Sequence, residues 1–549
     1  MMADCTAKVF RRLFAAFLCL LAAFSCGKQD PVKPDDGPGA GVTVYGYVKA
    51  DGAAVKGAVV SDGSLVTLTD GEGRYELRSD KSWGSVFVSV PSGFVPETDG
   101  VLPQFFKRFT KPSVTAERVD FELKRAGQEE YRMLVFGDLH LAKRNFCNDM
   151  EQFRKFATEV NGLVAASGVP VYALTLGDMT WDVYWKENGF GLEEYVSEIQ
   201  KDFNGLILWN TMGNHDNDPE RSDDAPGESS YTRTLCPNHY SFNAGGVHYI
   251  VLDDIVYENK PVGDRNFSKM VSAKQTEWLK RDLQHVSKDT PVMVAMHAPL
   301  YKKDGSMAIG GFMDLINCFS GFDRVQFLTA HTHTVYNVDM LHRSIHIYEN
   351  NNGAVCGSLW MTDSACKSGM NLCCDGAPGG YRILDIRNGD ISWRYKGTGC
   401  PDDFQFNSYD RNQLCLSTSA YVPHASAADK KAFETSVGAW GRPSSANEVL
   451  LNVWDWDPSW EISVTENGRE LPVTRLTDVK DPLYLAVYEA YEYEHGYSVS
   501  YPAGGTDHIF SVTASSPTST LEISVTDRFG RTSTETMIRP KAFYKGVLR

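Results

Sequence analysis

One pattern occurs five times in this chain: a short apolar run that ends at an aspartate, an asparagine or a histidine. The five runs are VFGDLH from Val135, VYALTLGD from Val171, ILWNTMGNHD from Ile207, VMVAMH from Val292 and VQFLTAHTH from Val325. Apolar runs of this kind are typical of strands buried in an open α/β sheet, where ligands bind outside the carboxyl ends of the strands. We therefore predict that the polar ends of the five runs meet in one crevice.

A single aspartate or histidine after a strand is usually a turn or capping residue, so each run alone says little about function. The ordered set is far more specific. Asp-x-His, Gly-Asp, Gly-Asn-His-Asp, a strand-end His and His-x-His follow one another, and in that order they resemble the motifs of calcineurin-like metallophosphoesterases. The usual final Gly-His-x-His of that family is here Ala330-His331-Thr332-His333, and the change touches a close-packed backbone position rather than a ligand.

The resemblance implies a site for two divalent metal ions. The first ion would bind Asp138, His140, Asp178 and His333. The second would bind Asp178, Asn214, His297 and His331. Asp178 would bridge the pair, because a carboxylate has one oxygen for each ion. Oxygen and imidazole ligands without thiolate suit Mn, Zn or Fe, which leaves the identity of the metal open.

The resemblance also implies a reaction. A hydroxide held by both ions would attack phosphorus in line with the leaving oxygen, while the ions neutralise the phosphoryl oxygens. His215, beside Asn214, is the predicted catalytic residue, free to donate a proton or a hydrogen bond to the substrate. Asp182 is a candidate partner that would orient this imidazole, and a helix-capping role is the alternative. Family members with Asp-x-His include diesterases and monoesterases, and we favour a diester. Purple acid phosphatases fit less well, because they have Tyr where Trp181 stands and lack a counterpart of His140.

The formal net charge of −16 argues against a nucleic-acid substrate, which would require a basic stripe. The net charge does not argue against a phosphate substrate. Screening over about 8 Å weakens the electric field of distant surface carboxylates, and close to the site the charge of two metal ions would dominate. We therefore expect a small-molecule or lipid-like phosphoester. A surface glycan-binding protein with a vestigial metal site is one alternative, disfavoured because none of the seven ligand positions is missing. A nuclease of the same fold is another, disfavoured by the acidic charge.

Residues 1–26 are typical of a lipoprotein signal, since Lys8, Arg11 and Arg12 precede an apolar stretch and Cys26 follows it. An ordinary secretory signal with a chance cysteine is the alternative. Cleavage would leave Cys26 as a lipid-bearing N-terminus, with 27–41 as a polar tether. The sequence thus predicts an exported lipoprotein anchored to a membrane, the outer membrane of a bacterium. No later apolar run reaches the about 18 residues that a membrane span needs.

A chain of 549 residues is too long for one core and predicts about three domains. The predicted fold class is α/β: a central two-sheet α/β metallophosphoesterase sandwich, flanked by N-terminal and C-terminal all-β sandwich domains. The N-terminal sandwich spans 42–126 and contains a turn at Thr69 to Tyr75 that resembles carboxypeptidase-regulatory-like modules. The catalytic domain spans 127–398, and the C-terminal β domain spans 399–549.

Within the catalytic domain, apolar residues at helical spacing predict helices around Phe153 to Leu163 and Leu192 to Phe203, and Ser272 is predicted to cap a third. The strand that ends at Asp254 is predicted to be structural. Two stretches, 217–237 and 350–380, are predicted to be irregular and are candidates for lining the substrate pocket. Five cysteines between Cys356 and Cys400 predict one or two disulfides in an exported protein.

Overall fold

The structure is a computed structural model that describes residues 37–544. The predicted signal segment, with Cys26, and the tether up to residue 36 lie outside the described residues. Within the described part of the chain, residues 42–544 belong to one compact unit. None of the helices in the described part of the chain has both the length and the apolar character needed to cross a membrane.

Two mixed β-sheets form the centre of the molecule, and together they contain all five apolar runs. The strand order of the first sheet is Ile207–Trp209, Val171–Thr175, Glu130–Phe136, Gly380–Arg387 and Asp390–Gly397. The order of the second is Tyr240–Ala244, Val247–Val251, Val292–Ala295, Val325–Thr329, Ile345–Asn351 and Tyr336–His342. Adjacent strands that carry the motifs are parallel. Their carboxyl ends therefore lie at the same edge of each sheet, and the predicted fold class is confirmed.

The three predicted helices are present. They are Asp149–Ala166, Leu192–Asp202 and Ala273–Asp282. Shorter helical segments are Asp182–Tyr184, Asn214–Asp216, Leu283–His285, Phe312–Asn317 and Met361–Ser364. The hydroxyl of Ser272 accepts a hydrogen bond from the Gln275 amide at 3.3 Å, as a capping residue does. The prediction of an irregular stretch at 217–237 was wrong, because it contains the helix Asp224–Thr234. Pro226 lies in the first turn of that helix, where an amide has no intrahelical partner to lose.

The N-terminal part consists of two sheets that face each other. The first contains Glu117–Arg118, Val44–Ala50, Phe121–Arg125 and Phe94–Pro96, with Ala53–Ala54 and Arg74–Leu77 also paired to Val44–Ala50. The second contains Phe106–Arg108, Ser85–Ser89, Val59–Ser61 and Val66–Leu68. The buried apolar residues of the N-terminal part belong to the same cluster as those of the central sheets. The buried Trp278 joins the two parts, since its indole N–H donates to Ser61 Oγ at 3.1 Å.

The C-terminal part also contains two antiparallel sheets. One is Phe406–Asp410, Glu448–Val453, Ile509–Thr513 and Val473–Leu476, and the other is Arg469–Glu470, Glu461–Glu466, Leu521–Thr526 and Thr532–Met537. The prediction of an all-β part did not include its helical segments, which are Thr418–Tyr421, Ala427–Val437, Gly438–Gly441, Pro482–Tyr484, Leu485–Glu489 and Ala490–Glu494. A buried ion pair of 2.8 Å between Arg382 of the central sheet and Asp455 fixes this part against the catalytic centre.

The predicted disulfides do not form among the described residues. All nine cysteines from Cys147 to Cys415 have free thiols, and seven of them are buried. Burial raises the pKa of the thiol group, as at Cys400, where it reaches about 11. A buried protonated thiol behaves as a small apolar group, so these residues contribute to the core.

Candidate metal centre

All seven predicted ligand residues lie at the carboxyl ends of strands, and they come from both central sheets. Asp138, His140, Asp178 and Asn214 follow strands of the first sheet, whereas His297, His331 and His333 follow strands of the second. Six of the seven side chains are buried, and only His331 is half-exposed. The side of the site at His331 is therefore open to solvent.

The first group of side chains surrounds Nε2 of His140. This nitrogen lies 3.1 Å from His333 Nε2 and 3.6 Å from Asp178 Oδ2. Asp138 Oδ1 lies 3.8 Å from His140 Nε2 and 3.5 Å from His333 Nε2. Atoms that share an ion through bonds of about 2.0–2.2 Å lie roughly 3–3.5 Å apart. The four side chains have close to the spacing of one coordination sphere.

The second group surrounds Nε2 of His297 and has the same spacing. This nitrogen lies 3.2 Å from Asp178 Oδ2, 3.0 Å from Asn214 Oδ1 and 3.0 Å from His331 Nδ1. Asp178 Oδ2 thus faces both groups, 3.6 Å from His140 Nε2 and 3.2 Å from His297 Nε2. The geometry of a bridging carboxylate is present at the predicted residue.

Five of these residues have backbones in the left-handed region, which residues other than glycine seldom adopt. The φ angles are 49° at Asp138, 44° at His140, 51° at Asp178, 68° at His331 and 52° at His333. Each such conformation costs on the order of 1–3 kcal/mol, and such residues cluster at functional sites. Because the strain falls on the predicted ligands, the strand ends are shaped to aim these side chains at one point.

Two glycines allow the motif turns to approach one another. A Cβ atom on Gly213 would lie 2.4 Å from Asp178 Oδ1, and one on Gly177 would lie 2.7 Å from His297 Nδ1. Any side chain at either position would displace a ligand residue. At the third turn, a Cβ atom on Gly137 would lie 2.9 Å from that of Ala330. Ala330 is accommodated in place of the usual glycine because residue 137 has no side chain.

Hydrogen bonds behind the site orient the imidazoles. Nδ1 of His297 lies 2.8 Å from the Leu176 carbonyl, and Nδ1 of His333 lies 2.6 Å from the Gly357 carbonyl. A carbonyl only accepts, so each Nδ1 carries a proton, and Nε2 is the nitrogen that presents a lone pair when the ring is neutral. Gly357 belongs to the stretch 350–380, which therefore contributes to the site.

Two carboxylates outside the predicted ligand set fix the turns that carry the predicted ligands, and one of them, Asp254, ends the strand that was predicted to be structural. Asp254 accepts hydrogen bonds from the amides of His297 at 3.1 Å and Ala298 at 2.9 Å. Asp216 accepts from the amides of Met179 at 3.1 Å and Gly213 at 3.0 Å. Asp254 follows an apolar run in the same way as the predicted ligands, and this signal was available in the sequence.

His215 lies beside the bridging residue. Its amide donates to Asp178 Oδ1 at 2.8 Å, and its Nδ1 lies 2.7 Å from Asp182 Oδ1. Arg265, which sequence reasoning missed, donates from Nε to Asp182 Oδ2 at 2.6 Å. Burial lowers the pKa of His215, but the charges of Asp178 and Asp182 outweigh it and raise the pKa above its usual value. The His215 side chain is about 20% exposed, so solvent can reach the imidazole.

The electrostatics of the site favour charged carboxylates. Burial opposes ionisation of Asp138, yet the charge of His333 and the nearby imidazole of His140 hold its pKa well below the usual range. Burial lowers the pKa of His297, but the charge of Asp178 raises it to about 10. Burial and the charges of His297 and Lys269 hold the pKa of His331 well below its usual value. The carboxylates favour a proton on a neighbouring imidazole. A bound cation would take the place of that proton.

Aromatic side chains surround the site, and sequence reasoning did not identify them. Ring centroids lie 5.1 Å apart for Tyr501 and His333, 5.9 Å for Phe267 and His331, and 5.6 Å for Trp181 and His140. Tyr501 comes from the C-terminal part, so this part contributes directly to the walls of the site. The contact depends on tertiary packing and has no signal in the local sequence.

Comparisons with known proteins match this geometry to one family. Sequence models of the calcineurin-like phosphoesterase family match three segments: its N-terminal domain matches residues 42–126, the phosphoesterase domain residues 131–335 and its C-terminal domain residues 349–532. A curated relative, purple acid phosphatase 15 of Arabidopsis thaliana, is 41% identical over 76 residues. That match covers 14% of this chain and only 12% of the relative.

Solved structures give weaker likenesses. The 5'-nucleotidase of Candida albicans is 13% identical, and the match covers 49% of this chain and 51% of that one with a TM-score of 0.30. The NAD nucleotidase of Haemophilus influenzae is 13% identical, with coverage of 48% and 49% and a TM-score of 0.29. The chain thus spans about half the length of these two proteins. Scores of this size carry no conclusion about the substrate.

Proposed function

Because the chain belongs to the calcineurin-like phosphoesterase family and is thereby a phosphoester hydrolase, we propose that it acts with two divalent metal ions bridged by Asp178. The observation that supports this best is the position of Asp178 Oδ2, 3.6 Å from His140 Nε2 and 3.2 Å from His297 Nε2. A single oxygen that faces two groups of nitrogen donors is suited to two neighbouring cations.

The residues fit such ions chemically. Oδ1 of Asp138 is buried and makes no hydrogen bond with any described residue, which is costly unless a cation binds there. The donors are carboxylate and amide oxygens and imidazole nitrogens. The nearest thiol, that of Cys356, lies 4.0 Å from the Nδ1 of His333 that is turned away from the donor cluster. This donor set suits Mn, Zn or Fe.

The ions, when bound, would neutralise the phosphoryl oxygens and supply an activated water as nucleophile. The chain itself would supply a hydrogen-bond or proton donor, His215, on the open side of the site. Since Nδ1 of His215 is held by Asp182 at 2.7 Å, Nε2 is the atom that can reach the leaving oxygen. Asp178 and Asp182 both stabilise the protonated imidazole.

For the substrate we propose a small-molecule or lipid-like phosphoester, with a diester favoured over a monoester and no nucleic acid. The net charge of −16 supports a substrate other than nucleic acid. The test compares bis(p-nitrophenyl) phosphate with p-nitrophenyl phosphate on metal-loaded protein that starts near residue 41. A higher kcat/KM for the diester is expected, and a large preference for the monoester would reverse this choice. If the protein hydrolyses neither ester, the proposed function is contradicted.

We also propose that the chain is an exported lipoprotein of an outer membrane, anchored through Cys26. The support is the sequence of residues 1–26, which lies outside the described residues. The full-length chain, labelled in cells with a radioactive fatty acid, is expected to lose its label on Cys26→Ala. Labelling that survives this change would exclude the lipid anchor.

A further inference from the structure

A cleft of about 290 Å³ lies beside the metal centre. Its lining includes Thr332, the residue between the proposed ligands His331 and His333. One wall comes from the central sheets and the other from the C-terminal part, including Trp456 and Arg475. Pockets for small molecules usually measure about 300–1,000 Å³. This cleft therefore has room for one small chemical group rather than for a long chain.

Positive side chains predominate in the lining of the cleft. The cations are Lys269, Lys302, Lys303 and Arg475, and the carboxylates are Asp375 and Asp507. Both oxygens of Asp375 already have partners. His508 Nε2 lies 3.2 Å from Oδ2, and the Ala377 amide donates to Oδ1 at 3.0 Å. Lys303 is engaged as well, by Asp478 at 2.7 Å.

Three of the cations form no ion pair with a described residue. Among the described residues, Lys269, Lys302 and Arg475 have no carboxylate within ion-pair distance. The Arg475 guanidinium lies 4.1 Å from the centre of the Trp456 ring, and its Nε donates to the Asp507 carbonyl at 2.6 Å. This leaves its two terminal nitrogens available on a fixed support.

Lys269 connects the cleft to the metal centre. It is half-buried and lines the cleft, and Phe267, two residues before it, packs against His331 with ring centroids 5.9 Å apart. The charge of Asp254 acts on Lys269, but the two side chains form no ion pair, so the ammonium is available to an anion in the cleft. Lys269 and Arg475 come from opposite walls, so both can contact one anionic group in the cleft.

We propose that this cleft binds a second anionic group, a carboxylate or a phosphate, of the substrate whose phosphoester lies at the metal centre. The inference rests on the proposed function and narrows it to phosphoesters with a further negative charge. Arg475 and Lys269 would recognise that charge, while Thr332 separates it from the ions. Such a substrate has two anchoring points, which align the phosphoester with the nucleophile.

The test measures binding without turnover. Alkyl phosphonates of increasing chain length, which end in a carboxylate or in a hydroxyl, are titrated by calorimetry into the metal-loaded protein. We expect the carboxylate form of at least one length to bind about ten-fold tighter than its hydroxyl counterpart, which corresponds to about 1.4 kcal/mol. The double variant Lys269→Gln, Arg475→Gln should lose this preference. Lys155→Gln, an exposed change on the helix Asp149–Ala166, should keep it.

Equal affinities of the two forms at every length, or a preference that survives in the double variant, would overturn the inference. Hydrolysis is measured in parallel on p-nitrophenyl phosphate and on p-nitrophenyl diesters with the same two chain ends. If the carboxylate preference is present in binding but no ester is hydrolysed, the cleft is supported and the proposed function fails. If esters are hydrolysed but no binding preference exists, the proposed function stands and the inference fails.

Discussion

Oδ1 of Asp182 lies 2.7 Å from Nδ1 of His215, so the only ring nitrogen of His215 left for another partner is Nε2. Asp182 is the first residue of the helical turn Asp182–Tyr184, whereas the cap position is Trp181, and no side chain caps the turn. Asp182 therefore does not act as a helix cap, which was the alternative role for this residue. Its second oxygen accepts from Arg265, so the imidazole is held by a carboxylate that is itself fixed.

This arrangement predicts how turnover depends on the leaving group. His215→Ala should keep both metal ions and lose roughly 10²–10⁴-fold in kcat on esters with poor leaving groups, because a positioned acid contributes that much. The loss should shrink as the leaving group becomes more acidic, and Asp182→Asn should show a smaller loss of the same kind. Rates for a series of alkyl and aryl esters provide the measurement. Equal losses for alkyl and p-nitrophenyl esters would show that His215 stabilises the phosphoryl oxygens instead.

A second prediction concerns the attachment of the C-terminal part. Arg382 is fully buried and pairs with Asp455 at 2.8 Å, so Asp455→Asn would leave a buried charge without a counter-ion. The expected loss in the free energy of unfolding is about 3–5 kcal/mol. The matched control is Glu130→Gln, which removes the partner of Arg387 at 3.9 Å, where both side chains are more than half exposed. That change should cost about 0–1 kcal/mol. Urea unfolding of both variants makes the comparison, and similar losses would contradict the prediction.

A third prediction concerns acid stability. The carboxylate of Glu117 is almost fully buried, which would raise its pKa, but hydrogen bonds from Thr110, Lys81 and Lys111 outweigh this and lower the pKa from 4.5 to about 2. The folded state therefore favours the charged form. The resulting stabilisation, about 3 kcal/mol, is present above pH 4.5 and is lost as the pH falls through about 2.

Unfolding free energies measured at several pH values test whether the stabilisation by Glu117 is lost as the pH falls. The difference between the unmodified protein and Glu117→Gln should be largest at neutral pH and should shrink steadily below pH 4.5. Glu122→Gln changes an exposed carboxylate of the same sheet and serves as the control, since its effect should be small. A difference for Glu117→Gln that stays constant from neutral pH down to pH 3 would contradict the lowered pKa.

The sequence predicted the strand ends well and the surroundings of the site poorly, for a physical reason. Asp138, His140 and Asp178 follow buried parallel strands, so their meeting point is dictated by the order of strands in the sheet. Tyr501, Trp456 and Arg475 reach the site only because the C-terminal part is fixed against the central sheets. That docking depends on a shared apolar cluster and on buried polar contacts between residues far apart in the sequence, and no local periodicity reports it.

Other differences also arise from tertiary context. The helix Ala427–Val437 has only two buried side chains, Phe433 and Val437, and the sequence around it has no clear apolar stripe. Helices that depend on capping and neighbours rather than on a stripe are missed by periodicity. The cysteines near 356–400 suggested disulfides by their number, yet none of them forms a disulfide among the described residues, and the four that are buried fill space in the core.

The bridging role of Asp178 is the central claim, and metal content measures it most directly. Protein loaded with Mn²⁺ and freed of excess metal is analysed for ions per chain by mass spectrometry. The unmodified protein should hold two ions, whereas Asp178→Asn should lose both together with the activity, because its Oδ2 lies within 3.6 Å of donors in both groups. His140→Ala and Asn214→Ala should each weaken mainly one ion, and the exposed change Asp390→Asn should leave both in place. An unchanged content of two ions in Asp178→Asn would contradict the two-metal assignment.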